Sequence, residues 1–425
     1  MGNQDQVTIE LQALLDKEPL IETKSCSIYK VPDEIRQSNV EAYIPMVVSI
    51  GPLHHGDSRL QKMEDHKLLY YKHFIQSSNA SLSELVSCVR ELEPQIRSCY
   101  SEKIDLTADE FVRVILVDSA FIIELLLTDE WAKDDVIFLQ PWLLSRIASD
   151  LILLENQLPF FVFEKLHNLA FSSFLLNNGH HEFPSFMKLA FRFFSFTLNF
   201  NKSPEPPHDS SILHFTDQIR YLYLMKQRPS KREHKPLVLG YTAYELVEAG
   251  VKFVVNESSS SRGCMLDLEF EYGTLKIPHI VVDDGTEILL RNIVALEQCH
   301  YPQEHYIIDY VRFFGQLINT NKDVGVLIKA GIIDDMVGGN YESSVAKLFS
   351  DVRKNITVTS ANVDYLKLCH DLNAYYNHPW HSKMATLRRD YFTTPWKTAA
   401  SIAGIFLLIL TVIQTVCSIL QVLCS

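Results

Sequence analysis

The chain has 425 residues, of which 47% are hydrophobic and 11% aromatic, and its formal net charge is −13. This composition is sufficient for a substantial hydrophobic core and excludes a disordered or low-complexity protein. The acidic balance argues against nucleic acid as a partner, because nonspecific binding to it requires a basic surface.

The chain begins with a loose leader, residues 1–25, that has neither the basic nor the apolar segment of a signal peptide. Residues 26–395 are rich in apolar positions at helical spacing, and no repeat or clean linker divides them. We therefore predict a single, mainly α-helical domain. Its predicted helices cover 60–75, 82–100 with a kink or break at Pro94, 108–127, a kinked pair within 139–169, 185–198, 212–226, 243–249, 286–299, 304–319, 323–330, 341–354, 360–377 and 379–390.

The predicted helix 108–127 is the most apolar part of this domain. Asp118 and Glu124 are its acidic residues beyond the first turn. We expect them to lie on a polar face or to be hydrogen-bonded groups of the core.

Two short segments are predicted to be extended rather than helical. The β-branched run at 47–50 favours an extended conformation that ends at Gly51-Pro52. A small β-hairpin is predicted at 265–277, because alternating residues flank a turn at 271–274, and Pro278 marks its second strand as an edge.

Three polar segments, 199–211, 228–235 and 256–262, are predicted to be loops. The basic segment 228–235 has two interpretations, contact with anionic lipid headgroups or a solvated loop. We favour the loop, because the run is brief and contains Glu233.

The end of the chain differs from everything before it. Residues 398–424 form a run of 27 residues without a charge, and a helix of this length, about 40 Å, spans a hydrocarbon core of about 30 Å. Trp396 and Lys397 precede the run, as aromatic and basic anchors do at a membrane interface. We predict a transmembrane helix at 396–424, since core helices rarely stay uncharged over such a length.

The predicted location is a membrane, most simply the plasma membrane, crossed once. A span next to the C-terminus is inserted after translation, so we expect a cytosolic body. Arg388, Arg389 and Lys397 before the span agree with this orientation. Four glycosylation sequons argue for the opposite side, but chance accounts for them; they begin at Asn79, Asn201, Asn256 and Asn355.

One face of the predicted span carries small and polar residues. At spacings of four and three they are Ala400, Gly404, Leu407, Thr411, Gln414, Ser418 and Gln421, of which Leu407 alone is neither small nor polar. Small residues allow helix backbones to approach, and polar side chains in lipid seek partners on another helix. The stripe favours self-association or docking on another transmembrane helix, and a chance distribution explains it equally well.

Two polar clusters within the body are candidate sites. His54 and His55 are candidate metal or acid–base groups, but zinc requires three or four converging ligands and no Cys-x-x-Cys or His-Glu-x-x-His motif supplies them. We interpret them as histidines that anchor a loop. Glu155, Asn156 and Gln157 form a candidate catalytic cluster, and here we favour polar groups that satisfy the backbone at broken helix ends.

No cofactor is predicted. The eight cysteines and the histidines do not form a metal-binding pattern, so free thiols are expected. The chain contains no Gly-x-Ser-x-Gly, P-loop or dinucleotide-binding motif, and we assign no catalytic residues.

Several segments together resemble the plant family called domain of unknown function 247. They are Ser49–Gly56 (SIGPLHHG), Asp150–Phe161 (DLILLENQLPFF), Glu248–Phe253, Arg291–Cys299 (RNIVALEQC), Ile318–Thr320 and Tyr391–Trp396, followed by the span. The resemblance covers about residues 26–420. Asp118-Ser-Ala-Phe121 departs from the family's more frequent Asp-Gly-Cys-Phe, which alters a packing site.

The resemblance implies a single-pass membrane protein of plants without assigned catalytic residues. Some grass members look like determinants of self-incompatibility between pollen and stigma, which implies recognition or signalling as the broad role of such proteins.

Three hypotheses follow. The first is a non-enzymatic, membrane-anchored protein that acts in recognition or signalling and binds the lipid bilayer and other proteins, a second copy of itself being one candidate. The second is a subunit of an oligomeric pore or channel lined by the polar stripe. The third is an enzyme of unrecognised type, which predicts a deep pocket around His54, His55 or Glu155.

Overall fold

The computed structural model describes residues 7–8, 12, 26–131, 137, 140–171, 183–198, 205–207, 212–224, 231–256, 266–336, 341–381, 383, 386 and 395–424. Most of the leader lies outside the described residues, as do most of the predicted loops 199–211 and 256–262 and the residues 228–230.

The described chain is mainly helical, as predicted, with small sheets. Its helices are α1 Asp33–Arg36, α2 Gln61–Ser77, α3 Leu82–Ser98, α4 Ala108–Trp131, α5 Pro141–Ile152, α6 Phe160–Ala170, α7 Phe186–Thr197, α8 Phe215–Leu224, α9 Ala243–Glu248, α10 Asp284–Cys299, α11 Tyr306–Leu317, α12 Asn321–Lys329, α13 Tyr341–Val352, α14 Val363–Asn377 and α15 Pro395–Cys424. Its strands are β1 Arg232–Glu233, β2 Lys252–Val255, β3 Glu269–Glu271, β4 Thr274–Ile277, β5 Ile280–Val282, β6 Ile333–Asp335 and β7 Ala361–Asn362, and short 3-10 turns lie at Val40–Tyr43 and Ser58–Leu60.

The contacts group the chain into two compact units. Unit 1 comprises Met1–Gln227, Asp283–Ile308 and Lys354–Thr357, and unit 2 comprises Arg228–Val282, Asp309–Arg353 and Val358–Ser425. The single domain at 26–395 stays a prediction.

Unit 1 is built around α4. This helix begins where Thr107 and Glu110 cap each other: the Thr107 N–H donates to Glu110 Oε2 at 3.0 Å, and the Glu110 N–H to Thr107 Oγ1 at 3.3 Å. Nearly all of its described apolar side chains are buried, and it packs against α2, α3, α6 and α7. A helix that is apolar around its whole circumference requires such a central position.

Phenylalanine rings form the second part of this core. The rings of Phe163 and Phe186 stack at 4.8 Å between centroids, and Phe160 meets Phe215 edge to face at 4.9 Å. Such aromatic pairs contribute about 0.5–1.5 kcal/mol each beyond the area they bury.

Unit 2 combines helices with three small sheets. In the largest, strand β4 lies between β2, which is parallel to it, and β3, which is antiparallel. Its helices bury Phe313, Phe314, Phe349 and Tyr365, with the rings of Phe314 and Phe349 stacked at 5.2 Å.

The predicted β-hairpin is confirmed as β3 and β4, and its turn is unusual. Tyr272 (φ 50°) and Gly273 (φ 75°) both adopt positive φ, as the two central residues of a type I′ turn do. Asparagine, aspartate or glycine normally occupy the first of these positions, because a bulky side chain is strained there. A Cβ on Gly273 would lie 2.7 Å from Tyr375 Oη, so the second position requires glycine.

The structure bears on three predictions of local structure. Of the kink or break predicted at Pro94, the break does not occur, because helix α3 continues through Pro94 to Ser98. The run 47–50, predicted to be extended, forms no strand, because its backbone N–H groups donate to side chains. Strand β4 ends before Pro278 as expected, but it is central rather than an edge, since the short β2, which the sequence reading missed, pairs with it.

Candidate functional site

The predicted polar residues of the body meet in unit 1, beneath the segment Met46–Gly51. This segment bends at Met46 and Val47 and forms no strand, and its N–H groups donate to side chains instead of a neighbouring strand. Asp150 accepts from three consecutive residues, from Met46 at 2.9 Å, Val47 at 2.7 Å and Val48 at 2.9 Å. A buried carboxylate therefore replaces the partner strand. Burial raises the pKa of Asp150 to about 6, although these three hydrogen bonds oppose the shift.

Asn156 binds the same segment through both ends of its amide. Its Oδ1 accepts from Ile50 N at 2.7 Å, and its Nδ2 donates to Val48 O at 3.0 Å and to Asp150 O at 2.9 Å. The side chain is fully buried. Both the oxygen and the nitrogen of the Asn156 amide are therefore hydrogen-bonded to backbone groups.

Gln157 connects the end of α5 to the start of α8 through hydrogen bonds. Its Nε2 donates to Leu151 O and Leu153 O, both at 2.7 Å, and its Oε1 accepts from Phe215 N at 2.9 Å, at the first residue of α8. These are the unpaired backbone groups that a helix end leaves behind. The geometry agrees with the structural interpretation of the cluster.

Glu155 anchors the start of the described body. Its Oε1 accepts from Val31 N at 2.8 Å and forms a short ion pair with Arg36 Nη1. Its other oxygen lies 3.6 Å from His54 Nε2. The structure therefore brings His54 and Glu155 together, beyond the length of a normal hydrogen bond.

Gly51 is required where these contacts converge. Its φ is +76°, and a Cβ there would lie 2.6 Å from Gln157 O and 3.0 Å from Tyr100 Oη. Its N–H donates to Asp118 Oδ2 at 2.8 Å. Asp118 is thus a hydrogen-bonded group of the core, which is one of the two roles expected for it.

Lys67 is the polar residue that the sequence reading missed. Its Nζ is fully buried and lies 2.7 Å from both Asp118 Oδ1 and Glu64 Oε1. Burial lowers the pKa of Lys67, but the two carboxylates outweigh this effect and the net shift is upward. Its sequence signal is a lysine within the apolar stripe of α2, because Met63, Lys67, Tyr70 and Phe74 are buried at spacings of four, three and four.

A small pocket opens beside this network. Its volume is about 200 Å³, and it is lined by Ser49, His54, His55, Gly56, Asp57, Leu60, Gln61 and Glu64. That volume is below the roughly 300–1,000 Å³ of typical ligand pockets. The hypothesis of a deep enzyme pocket at His54 and His55 gains no support from it.

The two histidines differ in their surroundings. His55 is exposed, whereas His54 is partly buried and burial lowers its pKa, against the opposing effect of Glu155. Within the part of the chain that the structure describes, no three His, Cys, Asp or Glu side chains are placed to hold a metal ion.

Helix α10 repeats this use of polar side chains. Asn292 Oδ1 accepts from Leu154 N at 2.9 Å, and its Nδ2 donates to Ala42 O at 2.9 Å. Glu297, also buried, pairs with Arg220 at 3.0 Å and accepts from Ile308 N at 2.9 Å. Five buried polar side chains of unit 1 therefore connect loops to helices, namely those of Asp150, Asn156, Gln157, Asn292 and Glu297.

The second candidate region is α15. The 24 residues Thr398–Gln421 form a helix apolar and long enough to cross a membrane, and no part of it is buried. On its polar stripe, Thr411 Oγ1 donates to Leu407 O at 2.8 Å and Ser418 Oγ to Gln414 O at 2.9 Å. A Cβ on Gly404 would meet nothing within 4 Å. Both hydroxyls are thus satisfied within the helix, while the glycine face is open.

Comparison with known proteins assigns a family. The plant protein family of unknown function called domain of unknown function 247 matches residues 28–410. The chain belongs to this family. The UPF0481 protein At3g47200 of Arabidopsis thaliana is 30% identical over 433 residues, which cover 94% of this chain and 87% of the relative. The putative UPF0481 protein At3g02645 of the same plant is 24% identical over 502 residues, covering 96% and 93%. No solved structure matches.

Proposed function

We propose that this plant protein is a non-enzymatic, single-pass membrane protein whose helical body recognises other proteins in a recognition or signalling process. The observation that carries the proposal is the exposed apolar helix Thr398–Gln421. An uncharged surface of this length is costly in water and favourable in a bilayer.

The use of the polar groups supports a role without catalysis. Four buried polar side chains form hydrogen bonds with backbone groups, and one of them also contacts Lys67. They are Asp150, Asn156, Gln157 and, with the contact to Lys67, Asp118. A general acid or base needs an atom within reach of a substrate. The body is then a scaffold that presents its outer surface.

We further propose that the body faces the cytosol at the plasma membrane. Arg388, Arg389 and Lys397 precede the span and support this orientation. The asparagines of three sequons lie within the described residues. Asn79 and Asn355 are exposed, the latter with its Nδ2 donating to Glu34 O at 2.5 Å, whereas Asn256 is buried and its Nδ2 donates to Asp267 O at 3.0 Å. Glycans on an ectodomain would therefore be expected at Asn79 and Asn355 and not at Asn256.

The test uses sealed vesicles that contain the full-length chain. We expect the protein to resist extraction by carbonate, and a protease added from the cytosolic side to digest the body, which should carry no glycan. Release by carbonate would overturn the anchor. Protection from the protease, or a glycan at Asn79 or Asn355, would overturn the cytosolic orientation and leave the anchor standing.

Self-association through α15 is part of the proposal. Gly404 leaves space for a neighbouring helix, and Gln414 places an amide in an apolar span, where a partner helix satisfies it. We expect Gly404→Ile to reduce crosslinked dimers in membranes. Ala403→Ile, one position around the helix, is the matched control and should leave them unchanged.

The pore hypothesis is the second candidate, and Gln414 is also the residue that favours it. Reconstituted protein should then conduct ions, and Gln414→Leu and Gln421→Leu should abolish the current. Liposomes without any conductance would exclude it.

A further inference from the structure

Unit 2 carries a group of aromatic side chains next to the segment that leads into α15. We call Tyr272, Tyr375, His378, Trp380 and His381 the aromatic patch. Tyr272, at the tip of the β3–β4 turn, is fully exposed, and 68% of Trp380 is exposed. Exposed aromatic residues of this size need an explanation when they lie together.

Contacts join the hairpin turn to the residues at and after the end of α14. The turn backbone at Gly273 packs on the Tyr375 hydroxyl, since a Cβ there would lie 2.7 Å from it. The Tyr375 ring in turn lies 4.0 Å from the ring of His381, whose Nδ1 is 3.1 Å from Ala249 O. Trp380 precedes His381 in the chain. The tip of the hairpin and the end of α14 are therefore held side by side.

The conformation of Tyr272 points to a role outside the fold. Its positive φ is one that a bulky side chain adopts at a cost, and the fully exposed ring recovers none of that cost by packing. Asparagine or glycine would form the same turn without strain. The ring is therefore explained by something that it contacts beyond this chain.

The chain connects the patch directly to the span. Fifteen positions separate Trp380 from Pro395, where α15 begins, and Trp396 is 87% exposed. Residues 380–397 (WHSKMATLRRDYFTTPWK) contain four basic residues and one acidic residue, in a chain whose net charge is −13. Tyrosine and tryptophan concentrate where a bilayer meets water, and basic residues near a span favour anionic headgroups. Glu271 beside the turn is an exposed charge that opposes such lipids.

We infer that the aromatic patch inserts into the headgroup region of the bilayer that α15 spans, so that unit 2 lies on the membrane surface in one orientation. The inference rests on the proposed anchor. The bilayer is the occupant, because the rings are amphipathic, the linking segment is basic and the chain brings the patch back to the membrane.

Depth-dependent quenching of tryptophan fluorescence tests this inference on the full-length protein in anionic liposomes. The chain has four tryptophans, so variants can retain only Trp142, only Trp380 or only Trp396, and a fourth can carry Tyr272→Trp with the natural tryptophans replaced by phenylalanine. Trp142 in unit 1 is 63% exposed and is the matched control for Trp380. The lipids are brominated either near the headgroup or deep in the acyl chain.

We expect headgroup-proximal bromine to reduce the fluorescence of Trp380, Trp396 and Tyr272→Trp by about twofold, and to leave Trp142 unchanged. Quenching of Trp396 without quenching of Tyr272→Trp would overturn the patch and leave the anchor standing. No quenching of Trp396 would overturn the anchor and the patch together. Protection of Tyr272→Trp from acrylamide without quenching by lipid would also overturn the inference, since a protein would then cover the patch. The measurement at Trp380 leaves the hairpin unaltered, so it does not depend on folding of the substituted turn.

Discussion

The two longest helices among the described residues, α4 and α15, are both strongly apolar, yet they have opposite surroundings. Along its described side chains, α4 is buried on nearly all sides within unit 1. Helix α15 has none of its membrane-length run buried. Length and hydrophobicity therefore do not distinguish the core helix from the predicted span.

The two helices differ in their charged residues. Within α4, Asp118 contacts Lys67, and Glu124 contacts His73 Nδ1 at 2.7 Å and Ser77 Oγ at 3.1 Å. Helix α15 has no charged residue after Lys397. A helix in a protein core can carry a charge where a neighbouring element supplies the partner, whereas a lone span in lipid has no such neighbour.

The largest expected effect follows from removing the partner of Asp118. Lys67→Met leaves the carboxylates of Asp118 and Glu64 next to each other, so we expect unfolding to become easier by about 3–5 kcal/mol. Denaturant unfolding of the full-length protein in detergent measures this. Lys72→Met, at an exposed position of the same helix, is the control.

A double variant sharpens this prediction. In Lys67→Met/Asp118→Asn, the carbonyl oxygen of the introduced amide still accepts the Gly51 N–H, and no charge is buried at this position. The double variant should recover part of the lost stability. A loss below about 1 kcal/mol for Lys67→Met alone would show that the pair is solvated.

The next effect concerns α15. An arginine at Ile409, near the middle of the run Thr398–Gln421, is expected to reduce membrane insertion by about 3 kcal/mol. The measurement is the fraction of the chain that resists carbonate extraction. Thr398→Arg at the entrance should have little effect, and equal losses at both positions would contradict a span centred near Ile409.

We expect a fall in pH to lower the stability of the folded core and to leave the span unaffected. His214 is fully buried, its Nε2 donates to Ser27 O at 3.0 Å, and burial lowers its pKa to about 4. An unfolded histidine titrates near pH 6.5, so between about pH 6.5 and 4 the unfolded chain binds a proton that the folded chain does not. Stability should fall as the pH falls through this window, by at most about 3 kcal/mol from this residue.

Melting temperatures measured across this pH range test the expectation. His214→Gln should flatten the dependence, while the exposed His55→Gln should not alter it. An unchanged slope in His214→Gln would assign the effect to other groups.

The smallest effect is expected at the exposed turn. Tyr272→Asn relieves a positive φ at a position that buries nothing, so we expect a gain of about 0.5–1 kcal/mol in stability. Tyr272→Phe keeps the strain and should leave the stability unchanged. A loss of stability in Tyr272→Asn would indicate that the ring packs within the fold.

Part of the site was predictable from the sequence. The structural role of Glu155, Asn156 and Gln157 follows from polar residues between apolar runs, because buried amides and carboxylates must bond to something. The partners of Asn156 in the segment Met46–Gly51 were not predictable, since they lie about 100 positions away in the chain. For the same reason the sequence did not reveal that the run 47–50 lacks a partner strand: its N–H groups donate to side chains of distant residues.

The sequence by itself determined the helical class, the family, the hairpin and the apolar run at the C-terminus, because these depend on local spacing and composition. Only the tertiary structure decided which apolar helix is buried, which lysine is an internal partner and that the β3–β4 turn packs against Tyr375. These facts depend on which distant residues come into contact. The free-energy cost of a charge or a large ring depends more on whether it is buried than on its neighbours in the sequence.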